Sequence, residues 1–150
     1  MPQVAILVGS STDDEAMLGC KKYLDYFGIE YNYQVLSAHR NSEECIKFSK
    51  EAEENGYKII IAAAGMAAHL PGVVAANTTL PVIGVPLSGS ELKGIDALYS
   101  IVQMPSGIPV ATVAIGGSKN AAVLAAQILA LNDKDLKLKL VEFRKSGSKI

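Results

Sequence analysis

The chain has two histidines, His39 and His69, and each follows closely on a short apolar run. Imidazole is the one side chain whose ordinary pKa lets it gain and lose protons near neutrality. His39 lies in Ser37-Ala38-His39-Arg40, so a guanidinium stands beside it, able to grip phosphate or carboxylate through paired N–H donors. Arg40 is one of two arginines, the other being Arg144. His69 lies in Ala67-Ala68-His69-Leu70-Pro71-Gly72, after Ala62-Ala63-Ala64-Gly65-Met66. Side chains this small let backbone amides approach a ligand closely, and they equally allow tight packing of a helix on a strand. Proton transfer that needs no metal is the chemistry such a pair can do. A purely structural role for either imidazole remains the alternative.

Other segments add polar groups. Gly9-Ser10-Ser11-Thr12-Asp13 joins a glycine to three hydroxyls before a helical pattern. Free amides and the helix dipole make such a segment an anion pocket, unless it is only a capping cluster. The carboxylate of Asp13 suits ribose hydroxyls better than a phosphate. Ser88-Gly89-Ser90 with Gly94 reads as a flap, Gln103 to Pro109 as a proline-bounded loop, and Gly116-Gly117-Ser118-Lys119-Asn120 as a second glycine-rich approach to a helix.

These segments need elements to hold them. Apolar runs at Val4–Val8, Tyr33–Leu36, Ile59–Ala64, Val82–Val85 and Val110–Ile115 lack strict alternation, the pattern of strands covered on both faces. Helical periodicity runs from about Asp13 to Phe27, with Thr12 as cap, Glu15 three residues on and Gly28 as stop. A second helix spans about Ser42 to Glu54 and stops near Gly56. A third begins near His69 and is interrupted early by Pro71, and a fourth covers Gly94 to Val102. The fifth, Asn120 to Leu131, is apolar nearly all round, which points to burial on more than one side and to a subunit interface. The tail fits strand or helix, and the capping potential of Asp133 favours a helix over about 133–146. Repeated strand–helix units with short links predict one α/β domain over 1–150. The expected architecture is a three-layer flavodoxin-like fold with helices on both faces of a five-stranded parallel sheet in the order 2-1-3-4-5. In such sheets ligands bind beyond the carboxyl ends of the strands, where all the segments above fall.

The totals narrow the function classes. Hydrophobic residues make up 49% and charged residues 19%, a globular composition. A net charge of −1 gives no global attraction to nucleic acid or to anionic membrane. No apolar run is long enough to span a bilayer, and Met1-Pro2-Gln3 shows no leader pattern. Cys20 and Cys45 fall on apolar helix faces and read as reduced core thiols of a cytoplasmic protein. Strand 3 ends Ala-Ala-Ala-Gly, without the phosphoacceptor aspartate of a receiver domain. There is no Trp to sandwich a flavin, no Walker A spacing, no GxSxG elbow and no Cys–His arrangement for covalent catalysis.

Gly9-Ser10 with Asp13, Ser37-Ala38-His39-Arg40, Ala67-Ala68-His69-Leu70-Pro71-Gly72, Tyr99 through Pro105 and Asn120-Ala121-Ala122 together resemble one family over nearly the whole chain. It is the class I branch of the small aminoimidazole ribonucleotide carboxylase family, the N5-carboxyaminoimidazole ribonucleotide mutases. The resemblance implies a homo-octamer acting on a ribonucleotide, with CO2 as an enclosed intermediate and without metal, nucleotide or organic cofactor. It implies that Ser10, Asp13 and Arg40 bind the ribonucleotide, with Ser37 in the same pocket. His39 is the implied general acid/base. Gly65, Met66, His69 and Leu70 are implied to shape the space around the imidazole ring and the migrating carboxyl group, which makes His69 part of the wall that holds CO2.

The chain also departs from the family pattern. Met66 stands where the family commonly has glycine, narrowing the carboxylate pocket. Asn41-Ser42 replaces the usual Thr-Pro, Ser11-Thr12 the usual Lys-Ser, and Gly116-Gly117-Ser118-Lys119 a somewhat different loop. Class II relatives, which use free CO2 directly, typically carry lysine after the histidine and lack the Ala-Ala-His-Leu-Pro-Gly stretch. Arg40 and His69 place this chain with class I.

Overall fold

The structure is a computed structural model and describes residues 1–150. Five parallel strands form one sheet in the order β2-β1-β3-β4-β5, with β1 at Val4–Val8, β2 at Tyr31–Val35, β3 at Ile59–Ala64, β4 at Val82–Pro86 and β5 at Ala111–Thr112. Successive side chains point to opposite faces of a strand, so the continuous apolar runs of β1, β3 and β4 feed two cores at once. Ile6, Ile61 and Ile83 face the first core, which is closed by α1 (Leu18–Phe27), α5 (Ser118–Leu129) and α6 (Lys134–Lys145). Leu7, Ile60 and Val82 face the second, under α2 (Ser42–Glu51), α3 (Leu70–Ala76) and α4 (Ile95–Val102). Cys20 lies in the first core and Cys45 in the second, so the sheet separates the two free thiols. Burial raises both thiols above their usual range, Cys20 to about 12, which leaves them unreactive.

Several local expectations shift. β2 is an edge strand and only partly buried, not covered on both faces. β5 pairs with β4 in register only at Ala111 and Thr112, shorter than the run Val110–Ile115. Beyond it, single bonds from the Val113 N–H to the Gly84 carbonyl (3.2 Å) and from the Gly116 N–H to the Pro86 carbonyl (2.8 Å) keep the chain beside β4. Before α1 the chain makes two short 3₁₀ turns, Ser11–Asp13 and Glu15–Met17. The capping oxygen is that of Ser10, not Thr12: Ser10 is extended and its Oγ accepts from the Thr12 N–H at 3.3 Å. Pro71 does not interrupt α3 but sits in its first turn, where a missing N–H leaves no hydrogen bond unmade.

α5 finds its cover inside the chain. Ala121, Ala122, Ala125 and Ala126 are fully buried, with α1, α6 and β4 packed around the helix. Much of the apolar composition of α5 is thus accounted for within the chain, while Leu124, Ile128 and Leu129 are only partly buried. Exposed apolar side chains also lie on α4, at Ile95, Tyr99 and Val102. Asp133 accepts from the Leu136 N–H at 3.0 Å and caps α6. No helix is long and apolar enough to cross a membrane.

Candidate active site

β2 and β3 flank β1, so the loops that follow them converge over its carboxyl end. A cleft of about 640 Å³ lies there. The β1 loop contributes Gly9, Ser10, Thr12 and Asp13, the β2 loop Ser37 to Arg40, and the β3 loop Gly65 to Leu70. Gly89, from the segment after β4, forms a further part of the wall. Every residue to which the family resemblance gives a site role lines this one cleft: Ser10, Asp13, Ser37, His39, Arg40, Gly65, Met66, His69 and Leu70. The Gln103–Pro109 loop and Asn120 lie outside it.

The two imidazoles, 30 residues apart, meet. His39 Nε2 lies 2.5 Å from His69 Nδ1, with the rings nearly perpendicular at 87°. One of the two facing nitrogens must be the donor and the other the acceptor. That contact fixes which nitrogens remain outward: Nδ1 of His39 and Nε2 of His69. His69 lines the cleft and is also in direct contact with His39, so the two rings constrain one another's orientation. Spacing could not reveal this contact, because it arises only from the 2-1-3 strand order.

Beside the pair, Ser37 Oγ accepts from the Arg40 N–H at 3.1 Å and closes the turn that carries both His39 and Arg40. Arg40 is exposed and takes part in no ion pair within the chain, so its guanidinium is free for an external anion. Across the cleft, burial pushes the Asp13 carboxyl above its ordinary value. A hydrogen bond from the Ser10 backbone works the other way, and the neighbouring charge of Asp14 adds to the rise.

The sign of this shift makes a prediction. A carboxyl that holds its proton to higher pH when folded favours folding in acid. That contribution is lost as pH rises through the elevated folded value, leaving a net cost at neutrality. Asp13→Asn is therefore expected to raise the melting temperature at pH 7, with the gain shrinking in acid. Thermal denaturation across pH checks this, and a destabilised variant at pH 7 would contradict it.

The β3 loop is held in unusual backbone geometry. Met66 (φ +55°) and Ala68 (φ +36°) occupy the left-handed region, and the Ala68 N–H bonds the Gly65 carbonyl at 3.0 Å. The amides of Met66 and Ala67 find no acceptor within the chain, and both residues line the cleft. A side chain in this region costs about 1–2 kcal/mol. Glycine removes that cost and returns about 0.5–1 kcal/mol in unfolded-chain entropy. Because the Met66 side chain is largely exposed and gives up little packing, Met66→Gly is expected to stabilise the fold by about 0.5–1 kcal/mol in urea titrations. A lower midpoint would refute it.

Fold and cleft together define a class: a doubly wound α/β protein with a hydrogen-bonded imidazole pair and a free guanidinium in an anion-receptive cleft at the strand ends. Within that class the chain belongs to the AIR carboxylase family, which it matches over residues 3–149. It is 54% identical to the N5-carboxyaminoimidazole ribonucleotide mutase of Saccharolobus solfataricus over 143 residues, 95% of this chain and 90% of that one. It is 51% identical to the Escherichia coli K12 protein of the same name over 146 residues, covering 96% and 86% of the two chains. Among solved structures it superposes on Treponema denticola PurE with a TM-score of 0.88 at 35% identity, covering 99% and 92%.

Proposed function

We propose that the chain converts N5-carboxyaminoimidazole ribonucleotide into 4-carboxy-5-aminoimidazole ribonucleotide, a mutase step of purine biosynthesis, by decarboxylation and recarboxylation within the cleft. The observation that carries this reading is the imidazole pair beside a free Arg40 in a cleft of about 640 Å³. Ser10, Asp13, Ser37 and Arg40 hold the ribonucleotide. The N–C bond of the carbamate breaks, CO2 leaves, and the electron pair stays on the exocyclic nitrogen, which takes a proton from His39. Ring carbon 4 then attacks the retained CO2, and His39 removes the proton displaced from that carbon. One proton is given and one recovered, so His39 ends as it began, which is what acid/base catalysis by a single group requires. His69 orients that group. The free amides of Met66 and Ala67 favour the carboxylate, and Gly65 and Leu70 keep this wall close to the ring. The Ser88–Gly94 segment, which places Gly89 in the wall, acts as the flap that confines CO2.

Assays with each substrate test the proposal. Turnover of N5-carboxyaminoimidazole ribonucleotide is expected without added bicarbonate. Activity confined to aminoimidazole ribonucleotide plus bicarbonate would make the protein a direct carboxylase instead, and no turnover of either would leave a binding module. The apolar stripe on α4 supports assembly of copies into the homo-octamer of the family reading, and a monomer in light scattering would count against it. Reduced core thiols and a biosynthetic substrate support a cytoplasmic location.

A further inference from the structure

The segment that brings Ser10, Thr12 and Asp13 to the cleft is not a regular helix. It consists of two successive 3₁₀ turns that meet at Asp14, each closed by two i to i+3 bonds: Asp13 to Ser10 and Asp14 to Ser11 in the first, Met17 to Asp14 and Leu18 to Glu15 in the second. Asp14 stands at the junction: its N–H bonds the Ser11 carbonyl and its carbonyl accepts from Met17, each at 3.2 Å. Its carboxylate caps neither turn. It accepts instead from the phenol of Tyr33, in the middle of β2. Tyr33 is itself held firmly, since it pairs in register with Ile6 of β1 and its ring packs on the first core. The Lys21 ammonium lies 3.6 Å from the centre of that ring. Burial and the bond to Asp14 keep the phenol protonated well past neutrality, so it remains a donor.

We propose that Tyr33 is a positioning residue for ribonucleotide binding: anchored in the sheet, it holds Asp14 and through it the two-turn segment that presents Ser10, Thr12 and Asp13. Tyr33 lies outside the cleft and touches no reacting atom. The imidazole pair belongs to other loops, so the clamp acts on binding and not on proton transfer. This rests on the reading above that the β1 loop receives the ribonucleotide.

Tyr33→Phe removes the hydroxyl and keeps the ring. It is expected to raise KM about tenfold, the ratio that matches loss of one hydrogen bond to a charged acceptor. kcat is expected to stay within about twofold, because the acid/base groups are untouched. Asp14→Asn keeps an acceptor oxygen and is expected to hold KM near the parent value. Asp14→Ala is expected to match Tyr33→Phe, and the double variant Tyr33→Phe/Asp14→Ala to add nothing further. Simple loss of folded protein would lower kcat and leave KM alone, so the split separates positioning from stability. An unchanged KM in Tyr33→Phe, or full additivity in the double variant, overturns the proposal.

Calorimetric titration with ribose 5-phosphate gives a readout independent of turnover. If the unaltered chain turns over neither substrate yet binds this probe more tightly than Tyr33→Phe does, the functional reading falls and the clamp stands. If both bind it equally, the clamp falls. If neither binds it and neither substrate is turned over, both fall.

Discussion

His39→Asn is expected to lower turnover about 10³- to 10⁴-fold while leaving ribonucleotide affinity within about threefold. The upper end of the acid/base range applies because the proposed cycle uses the same imidazole twice, once to protonate nitrogen and once to deprotonate carbon. Asparagine is similar in reach and can still donate towards His69 Nδ1, so the turn closed by Ser37 and the placement of Arg40 should survive. What it cannot do is carry a proton away. Steady-state assays and product titration by calorimetry measure the two halves separately. Retention of more than about a tenth of parental turnover would remove His39 from the acid/base role. A collapse of affinity alongside turnover would mean that the imidazole serves mainly to bind.

The largest stability effect is expected far from the cleft. Phe143 of α6 is 2% exposed and packs against the rings of Phe27 at 5.2 Å, Tyr26 at 5.8 Å and Tyr23 at 5.9 Å between centroids. It is the contact that closes α6 onto α1, beside Leu136 and Leu140. Phe143→Ala empties a site whose neighbours are large rings with little freedom to collapse inward. A loss of about 3–4 kcal/mol follows from the usual cost of such truncations. For a chain of this length that is a fall of about 6–16 °C in melting temperature. Urea titration should show a lower midpoint with unchanged slope. Turnover per folded molecule should hold at low temperature, since no ring of this cluster lines the cleft. A loss below about 1 kcal/mol would mean that α6 contributes little to closing the core.

The central strands were legible because a strand covered on both faces has no choice of composition. Val4–Val8 and Ile59–Ala64 are strands in the structure with those same limits. The edges were less legible: β2 begins at Tyr31 because pairing with β1, not apolarity, sets where an edge strand starts. The cap of the first helix was misread because four consecutive candidates from Ser10 to Asp13 differ only in backbone angle, which composition does not encode. The covering of α5 was only partly legible for a related reason. An apolar helix reveals that it is buried, but not whether its own chain or another buries it. For the site, loops at strand ends were enough to gather the candidate residues, since a parallel sheet sends every such loop to one edge. The contact between His39 and His69 and the tie between Tyr33 and Asp14 each join residues from different loops, and no sequence spacing expresses either.

The same parallel sheet has a second edge, and nothing in the cleft comes from it. The returns from α1 to β2, α2 to β3 and α3 to β4 all turn at the amino ends of the strands. Of these, the tip at Glu53, Glu54 and Asn55 is exposed, polar and closed by Gly56 at φ +92°. The molecule therefore has a chemical end and a handle. A peptide tag or a small cargo module spliced between Glu54 and Asn55 would hang from the handle, because exposed polar tips accept inserted chain readily. Tethered to a bead through that point, the protein would present its cleft to the solution.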